Sequence, residues 1–211
     1  MSVEATGHHG HFATASEERR AARLGMWLFL ASEVLLFAGL FTGYATYRYL
    51  YPQTFEAGAG HLDVTLGTVN TLVLITSSFT VACGVEMARR AHGKLVALFL
   101  GASIALGLCF LVIKGFEYAH HFHSGALPGR YFQLEGFALP GASMFFTLYF
   151  MLTGLHGIHV LIGLGALCWL SVRAFRGHFS ARYHTPVELG GMYWHLVDLV
   201  WIFLYPLLYL V

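Results

Sequence analysis

The sequence predicts an all-α fold, a polytopic bundle of five transmembrane helices, and three observations carry that prediction. Hydrophobic residues make up 57% of the 211 and charged residues 11%, where soluble domains carry about 25% charged. Mean hydropathy is +0.63. Five stretches are long enough to cross about 30 Å of hydrocarbon, which takes roughly 20 apolar residues as a helix. Each must be helical, because lipid offers backbone N–H and C=O groups no partner.

Residues 1–20 form a polar stretch expected to be a disordered tail. It holds His8, His9 and His11, but three imidazoles on a floppy segment lack the enforced geometry of a metal site, so no role is assigned to them. With no basic region ahead of a short apolar run, no cleavable signal is expected there. The five spans follow at about 24–47, 64–87, 95–115, 140–170 and 189–210, together making one domain over 21–211. The fourth is long enough to require tilt or to project beyond the bilayer. Gly39 with Gly43, Gly101 with Ala105 and Ser103 with Gly107 have the small-residue spacing of close helix contacts.

Arg19, Arg20, Arg23, Arg89, Arg90, Lys94, Arg173, Arg176 and Arg182 flank alternate span ends on one side. Arg48 and Arg130 lie on the other side, and Lys114 falls within a span. This asymmetry predicts a cytoplasmic N-terminus and a C-terminus outside. A net charge of +1 with no basic stripe excludes a nucleic-acid binder. Cys83, Cys109 and Cys168 lie in apolar runs without Cys-x-x-Cys spacing and are read as small buried residues.

Ionisable groups inside spans are expensive and mark functional or tightly paired positions. Glu33 lies about 13 Å into the first span at the helical rise, among Val34, Leu35, Leu36 and Phe37, which offer no partner. It is expected either to hydrogen-bond another helix as a neutral acid or to exchange protons, and the two roles are compatible. His156 and His159 share a face of the fourth span. A bis-histidine haem would need an opposing imidazole, for which only His195 is available, so packing through hydrogen bonds is favoured over metal or haem ligation. His195 and Asp198 are read as a local pair in the fifth span, the carboxylate accepting from the imidazole or from a neighbouring helix. Glu86 with Arg89 and Arg90, and Lys114 with Glu117, have the spacing of interfacial ion pairs, usually solvated. Arg173 and Arg176, just past the fourth span, suit lipid phosphates.

Four blocks, Ser32–Phe37, Asn70–Thr71 with Ser77–Ser78, Gly154–Val160 and Tyr193–Trp201, together resemble subunit III of the haem-copper oxidases, the third core subunit of cytochrome c oxidase and its quinol-oxidising relatives. The resemblance covers about 23–211, with Leu196 standing where that family usually has Phe. Longer members have seven helices and enclose a lipid-filled cleft with their first two; this chain resembles the five-helix bacterial form, whose cleft must be open or closed by another subunit. The resemblance implies that haem and copper reside on subunits I and II and that this chain carries no catalytic, metal or redox residue. It implies a role in sustaining proton uptake and protecting subunit I from turnover inactivation, in the bacterial cytoplasmic membrane. Glu33 matches the family's carbodiimide-reactive carboxylate. Subunit I as a direct partner, subunit II and bound phospholipid are expected, with a small fourth subunit or a respiratory supercomplex as further partners. Quinol oxidase and a nitric oxide reductase accessory protein remain close alternatives. A stand-alone proton or ion transporter is the alternative of another class, although the inverted repeat and broken helices expected of one are not evident.

Overall fold

The structure is a computed structural model that describes residues 14–134, 137, 139–180 and 183–210. The expected tail with His8, His9 and His11, and Arg182, lie outside the described residues, as does the side chain of Arg130. Six α-helices run in order: α1 (Ala15–Leu50), α2 (Pro52–Ala59), α3 (Val64–Arg89), α4 (Gly93–His123), α5 (Ala142–Phe175) and α6 (Thr185–Tyr209). A 3-10 turn at Gly129–Tyr131 lies between α4 and α5. All but α2 are long and apolar enough to span a membrane.

Helix starts follow from local chemistry. Thr14 caps α1 by accepting from the Glu17 N–H, with Glu17 and Glu18 in the first turn, where acidic side chains favour the helix dipole. The helix therefore begins at Ala15, and the end of the stretch read as a disordered tail is helical. Asp63 caps α3 through the Thr65 and Leu66 N–H groups. Pro52 at the start of α2 is compatible with a first helical turn, whose N–H would lack an intrahelical partner anyway. The short α2 was not anticipated, being too brief to register as a span. α4 runs further than the expected 95–115, to His123, because charged residues that end the apolar run are paired inside the protein.

Helices α3 to α6 form a four-helix bundle in which α3 touches α4 and α6, and α5 touches α4 and α6. Its centre is Trp194 of α6, wholly buried. A Cβ built on Gly107 of α4 would lie 2.9 Å from its indole, and one on Gly163 of α5 would lie 2.8 Å away, so both glycines admit the ring by having no side chain. The indole N–H donates to Ser77 of α3 at 3.0 Å. Trp201, two turns on, donates to Thr71 at 3.1 Å and stands edge-on to Phe110, with ring centroids 4.8 Å apart.

Helix α1 is applied to α5 and α6 from outside. Of its most apolar window 11% is buried, against 50% for α6. The contact is a seam: Leu30, Phe37 and Tyr44 are buried, with Met26, Glu33, Leu40 and Tyr47 half-buried between them, the alternating spacing of a coiled-coil stripe. Gly39 and Gly43 lie off the seam with open space around them, as does Gly101. Of the three small-residue pairs, Ser103 with Gly107 alone is buried between helices. The cysteines also depart from expectation: Cys109 and Cys168 are exposed on outer faces and Cys83 is half-buried, since all-round apolar helices let a small side chain face lipid as readily as protein.

Candidate functional site

The buried polar residues fall into three groups at different depths, with Asp198 apart from them. In the first, Glu33 of α1 reaches His159 of α5, Oε2 to Nε2 at 2.8 Å, both largely buried. The other ring nitrogen of His159, Nδ1, lies 2.8 Å from the Leu155 carbonyl. A carbonyl only accepts, so Nδ1 carries hydrogen. One proton then remains for the Glu33–His159 contact, and it can sit on either partner: a neutral acid donating to imidazole, or imidazolium donating to carboxylate. Phe37 stands edge-on to the imidazole, centroids 5.2 Å apart, and the Tyr193 hydroxyl donates to the His159 carbonyl at 3.2 Å.

Toward the end that carries most basic residues, Glu188 of α6 accepts from Arg23 of α1 at 2.6 Å and from Arg89 of α3 at 3.0 Å. His184, one turn earlier, stands 3.3 Å from the same carboxylate. This clasp joins three helices. Glu86 takes the exposed positions with Arg89 and Arg90, at 3.7 and 2.8 Å, as its spacing suggests.

At the opposite end of the bundle the Lys114–Glu117 pair is buried, the two residues 7% and 4% exposed, and so is not the solvated interfacial pair the sequence suggested. Its network closes on itself. Lys114 Nζ donates to Glu117 Oε2 at 3.0 Å and to the hydroxyls of Tyr149 and Tyr209 at 2.9 Å each, which uses all three ammonium hydrogens. Both tyrosines in turn donate to Glu117 Oε1. The ammonium also lies 4.9 to 5.6 Å from the ring centroids of Tyr118, Tyr149, Trp201 and Tyr209, an aromatic box that stabilises a desolvated cation.

The residues singled out from sequence are distributed as follows. Glu33 and His159 meet. His156, fully buried, donates from Nε2 to the Val197 carbonyl at 3.2 Å and stands edge-on to Phe110, centroids 5.5 Å apart. It faces α6, away from the Glu33 contact. His195 and Asp198 do not form the expected local pair: His195 Nδ1 takes Ser78 Oγ of α3 at 2.6 Å. Asp198 is 3% exposed and its carboxyl oxygens have no well-formed hydrogen bond among the described residues. The Ser78 hydroxyl also interacts with that carboxyl, but its short contact is to the imidazole, so one hydroxyl on a neighbouring helix competes with the pairing. Arg173 stacks over Trp169 at 4.7 Å, with Phe179 at 5.7 Å, while Arg176 is exposed. Among the described residues no three His, Cys, Asp or Glu side chains are grouped to hold one metal ion.

Sequence reasoning missed the Glu188 clasp and the partner of Glu33, since the pairs are separated by 165 and 126 residues. For Glu188 the available signal was its place in the first turn of α6, one turn after His184. For Lys114 it was the tyrosines near the far ends of the other spans.

Five helices long and apolar enough to cross a membrane define a multi-pass integral membrane protein. The chain belongs to the cytochrome c oxidase subunit III family, whose model matches residues 1–211. It is 34% identical to cytochrome c oxidase subunit 3 of Synechocystis sp. over 98% of this chain and 80% of that protein. It is 32% identical to quinol oxidase subunit 3 of Bacillus spizizenii over 92% of this chain and 89% of that one. A heme-copper oxidase subunit I+III of Aeropyrum pernix matches the whole chain at 29% identity along 25% of its own length.

Proposed function

We propose that this chain is the non-catalytic subunit III of a proton-pumping haem-copper terminal oxidase of the cytochrome c-oxidising kind, in a bacterial cytoplasmic membrane, with the basic end of the bundle on the cytoplasmic side. It sustains proton uptake by subunit I and protects that subunit during turnover. The observation that carries this reading is the Glu33–His159 contact, a single proton shared between an acid and a base at 2.8 Å inside the membrane part of the chain. Such a pair can hold or release a proton without moving a helix.

Haem and copper belong to the partner subunits in this reading. Subunit I is the direct partner, a reading supported by the relative in which I and III are one polypeptide, and subunit II completes the core. Arg173 and Arg176 hold lipid headgroups at the cytoplasmic surface, where the stacked guanidinium of Arg173 keeps its N–H edge free for a phosphate.

The complex carrying Glu33→Gln should assemble and lose pumping efficiency or alkaline turnover; wild-type pumping and pH dependence would reduce Glu33 to a packing residue. Deleting the chain should shorten the active lifetime during turnover, and an undiminished lifetime would remove the protective role. A quinol oxidase is the second reading, favoured by relatives of that name at 32% identity. The neighbouring subunit II decides between them, because a binuclear copper motif there marks cytochrome c as donor.

A further inference from the structure

Three of the acids inside the helix bundle have a basic partner: Glu33 meets His159, Glu117 meets Lys114, and Glu188 meets Arg23 and Arg89. Asp198 is 3% exposed and has neither a cation nor a well-formed hydrogen bond beside it among the described residues. Its charge is therefore not fixed by a neighbour. What it does meet is the Ser78 hydroxyl of α3, and that same hydroxyl lies 2.6 Å from His195 Nδ1.

His195 in turn lines a polar recess of about 410 Å³ at the basic end of the bundle, with room for several waters. The charged groups that line it with His195 are Arg23 of α1, Arg89 of α3 and Glu188 of α6. With Nδ1 taken by Ser78, Nε2 is the ring nitrogen left for water in the recess. Carboxyl, hydroxyl, imidazole and water thus stand in sequence, and each of the two inner groups can both give and accept a proton.

We propose that Asp198 is a proton-exchanging carboxyl, loaded and unloaded from the basic end of the bundle through Ser78 and His195. In the loaded state the Asp198 O–H donates to Ser78 Oγ, the Ser78 O–H donates to His195 Nδ1, and Nε2 carries hydrogen. On release Nε2 gives its proton to water in the recess, Nδ1 takes the proton of Ser78, and Ser78 takes that of Asp198. One proton leaves and Asp198 gains one negative charge. The same two contacts then run the other way, Nδ1–H to Ser78 and Ser78 O–H to the carboxylate, so exchange needs no helix to move. The site is separate from the Glu33–His159 contact, since its residues lie on α3 and α6, and it does not depend on the role proposed for Glu33.

Infrared spectroscopy of the assembled complex, without turnover, tests this. At mildly acidic pH the carboxylic C=O band of Asp198, recognised because Asp198→Asn removes it or Asp198→Glu moves it, should be present and should shift on transfer to D2O. Ser78→Ala, which removes the link, and His195→Gln, which keeps a hydrogen-bonding side chain but has no second ring nitrogen, should each slow that shift roughly a hundredfold, the low end of what a positioned proton-transfer group contributes. Thr71→Val takes a hydroxyl from the same α3–α6 contact, where it accepts from Trp201, and should leave the rate unchanged. Absence of an Asp198 band at every pH the complex tolerates would overturn the proposal. So would a band that does not exchange in the parent complex, an unchanged rate in Ser78→Ala and His195→Gln, or an equal slowing in Thr71→Val, which would assign the effect to helix packing.

Discussion

The two acid–base pairs embedded in this chain, Lys114–Glu117 and Glu33–His159, contrast in how much of their hydrogen-bonding capacity the protein fills. Around Lys114 every ammonium hydrogen has an acceptor, and Glu117 receives Lys114, Tyr149 and Tyr209. These residues come from three helices of the bundle. The pair is buried and its hydrogen-bonding positions are filled by partners beyond the pair itself. Glu33 and His159 share one proton between two sites of opposite helices and line the seam of the least buried helix, α1. Embedded charge alone therefore does not mark a proton-handling site. What distinguishes the two is that tyrosines from two other helices fill the hydrogen bonds around Lys114 and Glu117, whereas Glu33 has His159 as its hydrogen-bond partner.

Breaking the closed pair should have the largest effect. Lys114→Met leaves Glu117 buried without its cation and should cost about 3–5 kcal/mol of stability, read as a fall in the thermal midpoint of the purified complex; the Lys114→Met, Glu117→Leu double variant should recover most of it. A double variant as damaged as the single one would show that the tyrosine network, not charge balance, is what the site needs. Opening the α1 contact is expected to cost less. His159→Ala removes one hydrogen bond to an ionisable group, worth about 1.5–3 kcal/mol, and should increase protease or thiol access along the α1 seam while the α3–α6 bundle remains folded. The smallest effect belongs to Arg23→Gln, since Arg23 is half-exposed and such ion pairs contribute about 0–1 kcal/mol. A loss there as large as that at Lys114 would dissolve the contrast drawn above. Topology can be checked alongside these variants: Ala91→Cys should be shielded from an impermeant thiol reagent applied outside intact cells, and Gln53→Cys, on the exposed face of α2, should react.

Much of this architecture was legible in the sequence because bilayer thickness and backbone hydrogen bonding leave few solutions for long apolar stretches. The fourth and fifth spans were located to within a turn or so of α5 and α6. Failures came where a polar residue interrupts the apolar run for a reason outside its own helix. Lys114 and Glu117 seemed to end a span because the acceptors supplied by Tyr149 and Tyr209 lie 35 and 95 residues away. His195 likewise turns to a serine on α3 and not to Asp198, which leaves the neighbouring helix as the side from which Asp198 is approached.

Composition and periodicity by themselves determined that this chain is a membrane-spanning helical bundle and that Glu33, His156, His159, His195 and Asp198 lie at costly depths. Those properties depend on how many consecutive residues avoid water, which a linear chain records directly. Only the tertiary structure decided which of these groups meet: Glu33 with His159, His195 with Ser78, Lys114 inside a box of tyrosines, and Glu188 between two arginines. Helix rotation and crossing determine such pairings, and they are fixed by close packing of residues such as Gly107, Gly163 and Trp194, whose complementarity exists only once the helices are side by side.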